Sequence, residues 1–217
     1  MKISILCSDP KHPISPWLER WALNHGKTHE VSLNRRKDEL TGGDILFLIS
    51  CHEVISSQVR ALYSATLLIH ASDLPVGRGW SPHIWQIIEG KNRIPVTLLE
   101  AEDAVDSGAI WAQRQIQLDG HETFEEINAK LFDAEVELMD FAVAGFTTIK
   151  PRQQDTREPT NYQKRTPEDS RIDPHKSIAD QFELLRVADP MRFPAFLEFR
   201  GHRYLLSIVK DKEHENK

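Results

Sequence analysis

The chain has 217 residues, 40% of them hydrophobic, and its 27 basic and 33 acidic side chains give a formal charge of −6. That is enough apolar material for one sizeable core with or without a small appendage, and the charge supplies no global field to attract a polyanion, which argues against nucleic acid as a partner. With only Cys7 and Cys51, no secretory leader and no apolar run near the roughly 20 residues a bilayer span needs, a disulfide scaffold and a membrane protein are excluded and a cytoplasmic, thiol-reduced protein is expected.

Residues 2–7, Lys-Ile-Ser-Ile-Leu-Cys, predict a first strand that ends at Ser8, Asp9 and Pro10. A dinucleotide-binding unit would place Gly-x-Gly-x-x-Gly at this point. No glycine precedes Gly26, which disfavours a nicotinamide or flavin dinucleotide. Trp17, Leu18, Trp21 and Ala22 share one helical face over 15–25, and Glu30 to Leu33 reads as a short strand. After a turn at Gly42, Gly43 and Asp44, an apolar strand at 45–49 leads into Ser50, Cys51 and His52. A helix from about Ser56 to Tyr63 and a strand at 66–69 follow. This alternation predicts an α/β fold with a mainly parallel sheet and helices on both faces. Ligands of such sheets sit outside the carboxyl ends of the strands, so Ser8, Ser50 and His70 should face one crevice.

The stretch His70-Ala-Ser-Asp-Leu-Pro-Val-Gly-Arg-Gly-Trp-Ser-Pro82 puts an imidazole at the rim of a strand buried on both faces. Its prolines at 75 and 82 and glycines at 77 and 79 forbid a helix until Pro82 opens one, with Ile84, Trp85, Ile87 and Ile88 as its apolar residues. Gly90 to Arg93 ends that helix. A strand at 95–100, an acidic loop from Ala101 to Ser107 and a strand at 109–116 come next. A long helix from Glu122 to about Val143 then carries Phe124, Ile127, Leu131, Ala134, Leu138 and Phe141 on its apolar face. Residues 150–176 are polar and punctuated by proline, which reads as a connector between a core at 1–149 and a small unit at 177–217. In that unit a helix begins at Ser177, strands at 195–199 and 204–209 flank a turn at 200–202, and a charged tail from Asp211 onward is expected to fray.

Two blocks together resemble the formyltransferases that use N10-formyltetrahydrofolate. The first is the His-x-Ser-x-Leu-Pro loop with its Arg-Gly and Pro, here His70, Ser72, Leu74, Pro75, Arg78, Gly79 and Pro82. The second is a Val-Thr-Leu strand with a later Asp-x-Gly and Ile, here Val96, Thr97, Leu98, Asp106, Gly108 and Ile110. The resemblance implies a Rossmann-like formyltransferase core with a small C-terminal α+β unit. It makes His70 and Asp106 the catalytic residues, His70 bonding the developing oxyanion while Asp106 orients it and accepts the amine proton. It also implies that Arg78, Gly79 and Trp80, with Glu102, Asp103, Ala104 and Val105, border the folate, and that Ser72, Lys164 and Arg165 serve the acceptor, the two cations at its phosphates. Read without the resemblance, His70 caps a strand loop and Asp106 starts a turn.

The family's asparagine two residues before the histidine is replaced here by Leu68. Ser50 or His52 at the neighbouring strand end is the expected stand-in. Within the family the chain looks most like the compact sugar N-formyltransferases that act on UDP-linked 4-amino-4,6-dideoxy sugars of the pseudaminic acid type. Its segment after Pro151 is too short and too mixed in charge for a tRNA-binding domain, so a nucleotide sugar is the expected partner, and a homodimer is compatible with it. Formyl transfer to another small amine, cofactor deformylation and a non-catalytic folate-binding module are the competing readings. The ten histidines include no His-x-His pattern and the two cysteines no Cys-x-x-Cys pattern, so no metal is expected, and His12, His25, His29, His83, His121 and His202 read as surface residues.

Overall fold

The computed structural model describes residues 1–211. Along the chain run β1 (Lys2–Leu6), α1 (Ser15–His25), β2 (Glu30–Asn34), β3 (Gly43–Leu48), α2 (Ser57–Arg60), β4 (Tyr63–His70), β5 (Arg78–Gly79), α3 (Pro82–Ile88), β6 (Arg93–Glu100), β7 (Ile110–Gln117), α4 (Phe124–Gly145), β8 (Asn161–Tyr162), α5 (Phe182–Arg186), β9 (Ala195–Phe199) and β10 (His202–Leu206). Six strands form one sheet in the order β2-β1-β3-β4-β6-β7. The pairings of β1 with β2 and β3, and of β3 with β4, are parallel; β6 and β7 join antiparallel. The fold is therefore of the α/β class with a mainly parallel sheet. Its antiparallel edge sets His70 opposite Thr97, so the end of β4 and the strand leading to the Asp106 loop lie side by side.

Alternation along the strands sorts the side chains to two faces. Ile3, Ile5, Ile45, Phe47, Ala65, Leu67, Val96 and Leu98 belong to the main core with Leu18 and Trp21 of α1, Ile84 and Ile87 of α3, and Leu131 and Leu138 of α4. Leu6, Leu46 and Tyr63 point the other way, into a small cluster under the single turn α2. Helices on both faces were expected; instead α1, α3 and α4 all cover one face. The face carrying Leu68 and His70 is left mainly to loops.

Several boundaries differ from the sequence reading for local reasons. The helix expected to reach Tyr63 stops at Arg60, because Tyr63 is buried and begins β4, its hydroxyl meeting Ser4 Oγ at 3.0 Å. Gly43 and Asp44 lie in β3, with Asp44 accepting the Lys2 N–H at 2.7 Å. Helix α4 starts at Phe124 behind a capping box of Thr123 and Glu126, while Glu122 turns back to accept the Asp119 N–H at 3.0 Å. Phe141, expected in the core, is 38% exposed beneath Arg114. In the C-terminal hairpin Arg200 and Gly201 both have positive φ, as a two-residue turn requires, so His202 opens β10 and the strand ends at Leu206.

Residues 150–176 are bound to the core rather than spanning free. Arg152 exchanges backbone hydrogen bonds with Ile110 at 2.7 and 2.9 Å, β8 pairs in parallel with β5, and the Trp85 indole donates to the Gln163 carbonyl at 3.0 Å. Beyond this strap, the wholly buried Arg186 fixes the C-terminal unit, donating to Asn92 Oδ1 at 3.1 Å and to the Glu122 carbonyl at 3.3 Å. The tail expected to fray lies, past Asp211, outside the described residues. No helix among the described residues is long and apolar enough to cross a membrane.

Candidate functional site

His70 is the last residue of β4 and is 7% exposed. The loop after it doubles back at once, Ser72 donating its N–H to the His70 carbonyl at 2.9 Å. Leu74 and Pro75 are joined by a cis peptide bond. At Gly79, φ is +97° and a Cβ would lie 2.4 Å from the Tyr162 carbonyl oxygen, so only glycine lets the strap approach there. Gly108 solves a similar problem on the neighbouring loop, since a Cβ there would meet the Glu100 oxygen at 2.0 Å. The chain can thus turn tightly against the end of β6 and carry Asp106, itself left-handed at φ 53°, over His70.

The two residues meet. His70 Nδ1 lies 3.6 Å from Asp106 Oδ2, and both side chains are more than nine-tenths buried. Asp106 Oδ2 also accepts the Gly79 N–H at 2.9 Å. The other ring nitrogen, Nε2, faces the Gly77 carbonyl at 2.8 Å and must carry its proton there. Gly77 therefore fixes one edge of the ring, and Asp106 faces the other at 3.6 Å, longer than a normal hydrogen bond. The carboxylate faces Nδ1 across a gap beside which a polar atom of a ligand could bond both groups. A wall of Leu68, Leu74, Leu99 and Ile110 borders the pair. Such apolar surroundings strengthen electrostatic interactions relative to water.

Leu68 pairs with Leu48 and Leu99 across the sheet. Of its expected stand-ins, Ser50 sits in the left-handed region. His52 donates its backbone N–H to Ser8 Oγ at 3.2 Å and stacks its ring on Trp80, centroids 5.9 Å apart. The strand ends at Ser8 and His52 are thus in contact, and Trp80 links them to the His70 loop.

The remaining residues singled out from the sequence separate into groups. Ser72 is 1% exposed and its hydroxyl has no partner among the described residues, while its carbonyl accepts from Thr97 Oγ1 at 2.7 Å. Arg78 donates from Nη2 to Gln154 Oε1 at 2.8 Å and keeps a buried Nε without a partner among the described residues. Trp80 is 42% exposed at the mouth, and Lys164 Nζ lies 4.7 Å over its ring, an attractive cation–π contact. Glu102, Asp103, Ala104 and Val105 form an exposed rim beside Asp106, with Asp103 paired to Arg60. Arg165 does not join Lys164. It is turned inward onto Ser170 Oγ at 3.0 Å and the Asp169 carbonyl at 3.3 Å, which corrects its expected place at acceptor phosphates, and burial lowers its pKa.

Sequence reasoning missed the strap's contribution. Thr160 Oγ1 accepts the Gly77 N–H at 2.8 Å, and Arg157 donates to Asp73 Oδ2 at 2.8 Å, holding that carboxyl below its usual range. Gln154 donates to the carbonyls of Asp106 at 2.7 Å and Gly108 at 3.0 Å. None of these residues lies in a periodic pattern or motif that could have announced it. His12 and His83, expected on the surface, are partly buried; burial pushes their pKa values down to about 4 and about 3, so they are neutral at pH 7. Asp119, His121 and Glu122 come close enough to share an ion, but Lys130 already reaches Glu122 at 2.5 Å and Lys210 reaches His121 at 2.7 Å.

Comparison with known proteins bears on this geometry. Residues 7–143 match the family model described as formyl transferase. The methionyl-tRNA formyltransferase of Flavobacterium psychrophilum is 30% identical over 148 residues, which cover 66% of this chain and 46% of that protein, so the chain matches about half the length of this relative. Among solved structures, methionyl-tRNA formyltransferase from Clostridium thermocellum has a TM-score of 0.79 at 20% identity, covering 99% of this chain and 96% of that one. HypX from Aquifex aeolicus in complex with tetrahydrofolic acid has a TM-score of 0.79 at 24% identity over 96% of this chain and 37% of its own. A sugar N-formyltransferase from a Shewanella species has a TM-score of 0.71 at 14% identity over 97% of this chain and 98% of its own. At these identities the structural likeness establishes the fold.

Proposed function

The chain belongs to the formyl transferase family, and from that premise we propose that it moves a formyl group from N10-formyltetrahydrofolate to the amine of a nucleotide-linked 4-amino-4,6-dideoxy sugar, a UDP-sugar being favoured. The observation that carries the reading is the buried meeting of His70 Nδ1 and Asp106 Oδ2 at 3.6 Å. In this reading residues 1–149 are the catalytic core, 150–176 the strap and 177–217 a small C-terminal unit.

The acceptor nitrogen attacks the formyl carbon and the carbonyl electron pair moves onto oxygen. His70, protonated on both nitrogens, keeps Nε2–H on Gly77 and directs Nδ1–H at that oxyanion, while Asp106 takes a proton from the attacking nitrogen. The intermediate collapses with cleavage of the carbon–N10 bond, the electron pair going to N10 together with the proton that Asp106 took, which returns the carboxylate to its starting form. Leu68 removes one donor that the family pattern supplies, and loss of an oxyanion donor typically costs roughly 10² to 10³ in rate. Ser50 and His52 are the proposed replacements; unchanged turnover when each is replaced by alanine would remove them. The pterin lies along the rim at 102–105 with Arg78, Gly79 and Trp80 at its border, and Ser72 and Lys164 serve the acceptor.

A nucleotide sugar is favoured over tRNA by the charge of −6 and by Lys164, a cation that overhangs Trp80 at the mouth. A tRNA acceptor would call for a broad basic surface. The deciding experiment incubates the protein with N10-formyltetrahydrofolate and a panel of amino-sugar nucleotides, with methionyl-tRNA alongside. Transfer appears as a mass gain of about 28 Da, one carbonyl, on the acceptor amine, the group general-acid–base catalysis acts upon. Formylation of the tRNA alone overturns the acceptor, formate release without an acceptor identifies a deformylase, and no turnover with any partner leaves a folate-binding module.

A further inference from the structure

We infer that Gln154, in the strap, is a positioning residue for the candidate base: its carboxamide holds the backbone of Asp106 in the conformation that keeps the carboxylate over His70. The inference rests on the assignment of Asp106 given above. Its argument starts from backbone conformation. Asp106 has φ 53°, a region that side chains other than glycine visit at a cost and keep only when their surroundings over-determine it. The side chain has one such restraint, the Gly79 N–H on Oδ2 at 2.9 Å. The main chain has another, because Gln154 Nε2 donates to the Asp106 carbonyl at 2.7 Å and the Gly108 carbonyl at 3.0 Å. One NH2 group thus clamps both sides of the turn.

The third polar position of the same carboxamide is also in use, Oε1 accepting from Arg78 Nη2 at 2.8 Å. Two donors toward carbonyls and one acceptor toward a guanidinium is a demand that only an amide side chain of this length meets. Glutamate would keep the acceptor for Arg78 and set a carboxylate against two carbonyl oxygens. Leucine would remove all three bonds at similar size. These substitutions therefore separate action through Asp106 from action through Arg78.

Misplacing a reacting group by about 1 Å can cost about 10²-fold in rate. Gln154→Leu and Gln154→Glu should each lower kcat by about 10- to 100-fold and change the KM for the formyl donor less than about threefold, since the strap and the 70–82 loop stay docked. In an Asp106→Asn background Gln154→Leu should add almost nothing, because the group it positions is gone. A fall in kcat that multiplies the Asp106→Asn loss, or a Gln154→Glu variant as active as the parent, overturns the inference.

A second measurement does not depend on turnover. Hydrogen exchange at the Gly79 amide reads where the Asp106 carboxylate sits, whereas the Trp80 amide, bonded to the Tyr162 carbonyl at 3.1 Å, reads whether the strap is docked. Gln154→Leu should speed exchange at Gly79 at least tenfold and leave Trp80 unchanged. Equal acceleration at both amides would show a general strap, and no acceleration would show no clamp; either result removes the role. If the parent forms no product with any acceptor while Gly79 responds as expected, the formyl-transfer reading fails and the clamp stands.

Discussion

Two buried polar clusters in this molecule are built to different rules. Around Arg186 and Glu122 every charged atom has a partner: the guanidinium donates to Glu183, the Glu122 carbonyl and Asn92, and the Glu122 carboxylate accepts from Asp119, Gly120 and Lys130. Around His70 and Asp106 two side chains, Ser72 and Arg78, each keep a buried polar atom with no partner among the described residues; Thr66 Oγ1, four residues back on β4, and Arg165 Nε, beside Ser170, are two more. A buried donor or acceptor left unmade costs roughly 1 to 3 kcal/mol, so a fold does not leave several together unless something else gains from them. Full satisfaction marks the Arg186–Glu122 anchor; spare hydrogen-bonding capacity marks the region proposed to meet a ligand.

The contrast is tested most severely at Asp106. Asp106→Asn keeps the shape and can still accept the Gly79 N–H through its amide oxygen, yet it removes the base. General acid–base groups contribute roughly 10² to 10⁴ in rate, so steady-state assays should show kcat reduced by about 10³-fold, while donor affinity by titration stays within about tenfold. If that variant turns over normally, the mouth is scaffolding of the same kind as the anchor.

Much of the mouth could be read in advance, because its signals are local. A run of Thr66, Leu67, Leu68 and Ile69 announces a buried strand, and Pro75, Gly77 and Gly79 announce a rigid loop after it. Gly108 marks the turn that brings Asp106 back. Other features depend on tertiary partners far along the chain. Nothing in Gln154 or Thr160 shows which loop they will bind, nor in Arg165 that it will turn inward to Ser170 while Lys164 stays out over Trp80. The placement of α1, α3 and α4 on a single face is equally hidden, since a strand-and-helix alternation does not say to which side each helix crosses.

The anchor is tested by acid. Burial alone would raise the Glu122 pKa, but the bond from Lys130 and the amide N–H of Asp119 outweigh it and hold the group at about 2, against an ordinary value of 4.5. A depressed carboxylate stabilises the folded state above its unfolded pKa and loses that contribution as pH falls through the folded one. Thermal midpoints of the parent should therefore decline between pH 4.5 and about 2. Glu122→Gln should start lower at neutral pH and flatten this part of the curve. A variant that keeps the parent's full slope would show that other carboxylates carry the acid sensitivity and that the anchor is not held by charge.

The smallest effect is expected where the spare capacity is most complete. Ser72 is 1% exposed, its hydroxyl bonds to no group among the described residues, and its structural bond runs through the backbone carbonyl to Thr97. Ser72→Ala deletes one oxygen without breaking any bond to a described residue and removes a buried hydroxyl whose unmade bonds cost roughly 1 to 3 kcal/mol, so its stability by denaturant unfolding should match or exceed the parent's. If the hydroxyl serves the acceptor, its KM should rise several-fold at undiminished stability, a split that a scaffold residue does not produce. Destabilisation by 2 kcal/mol or more would mean that this oxygen is already satisfied in the folded protein, and the distinction between a saturated anchor and an unsaturated mouth would lose its clearest member.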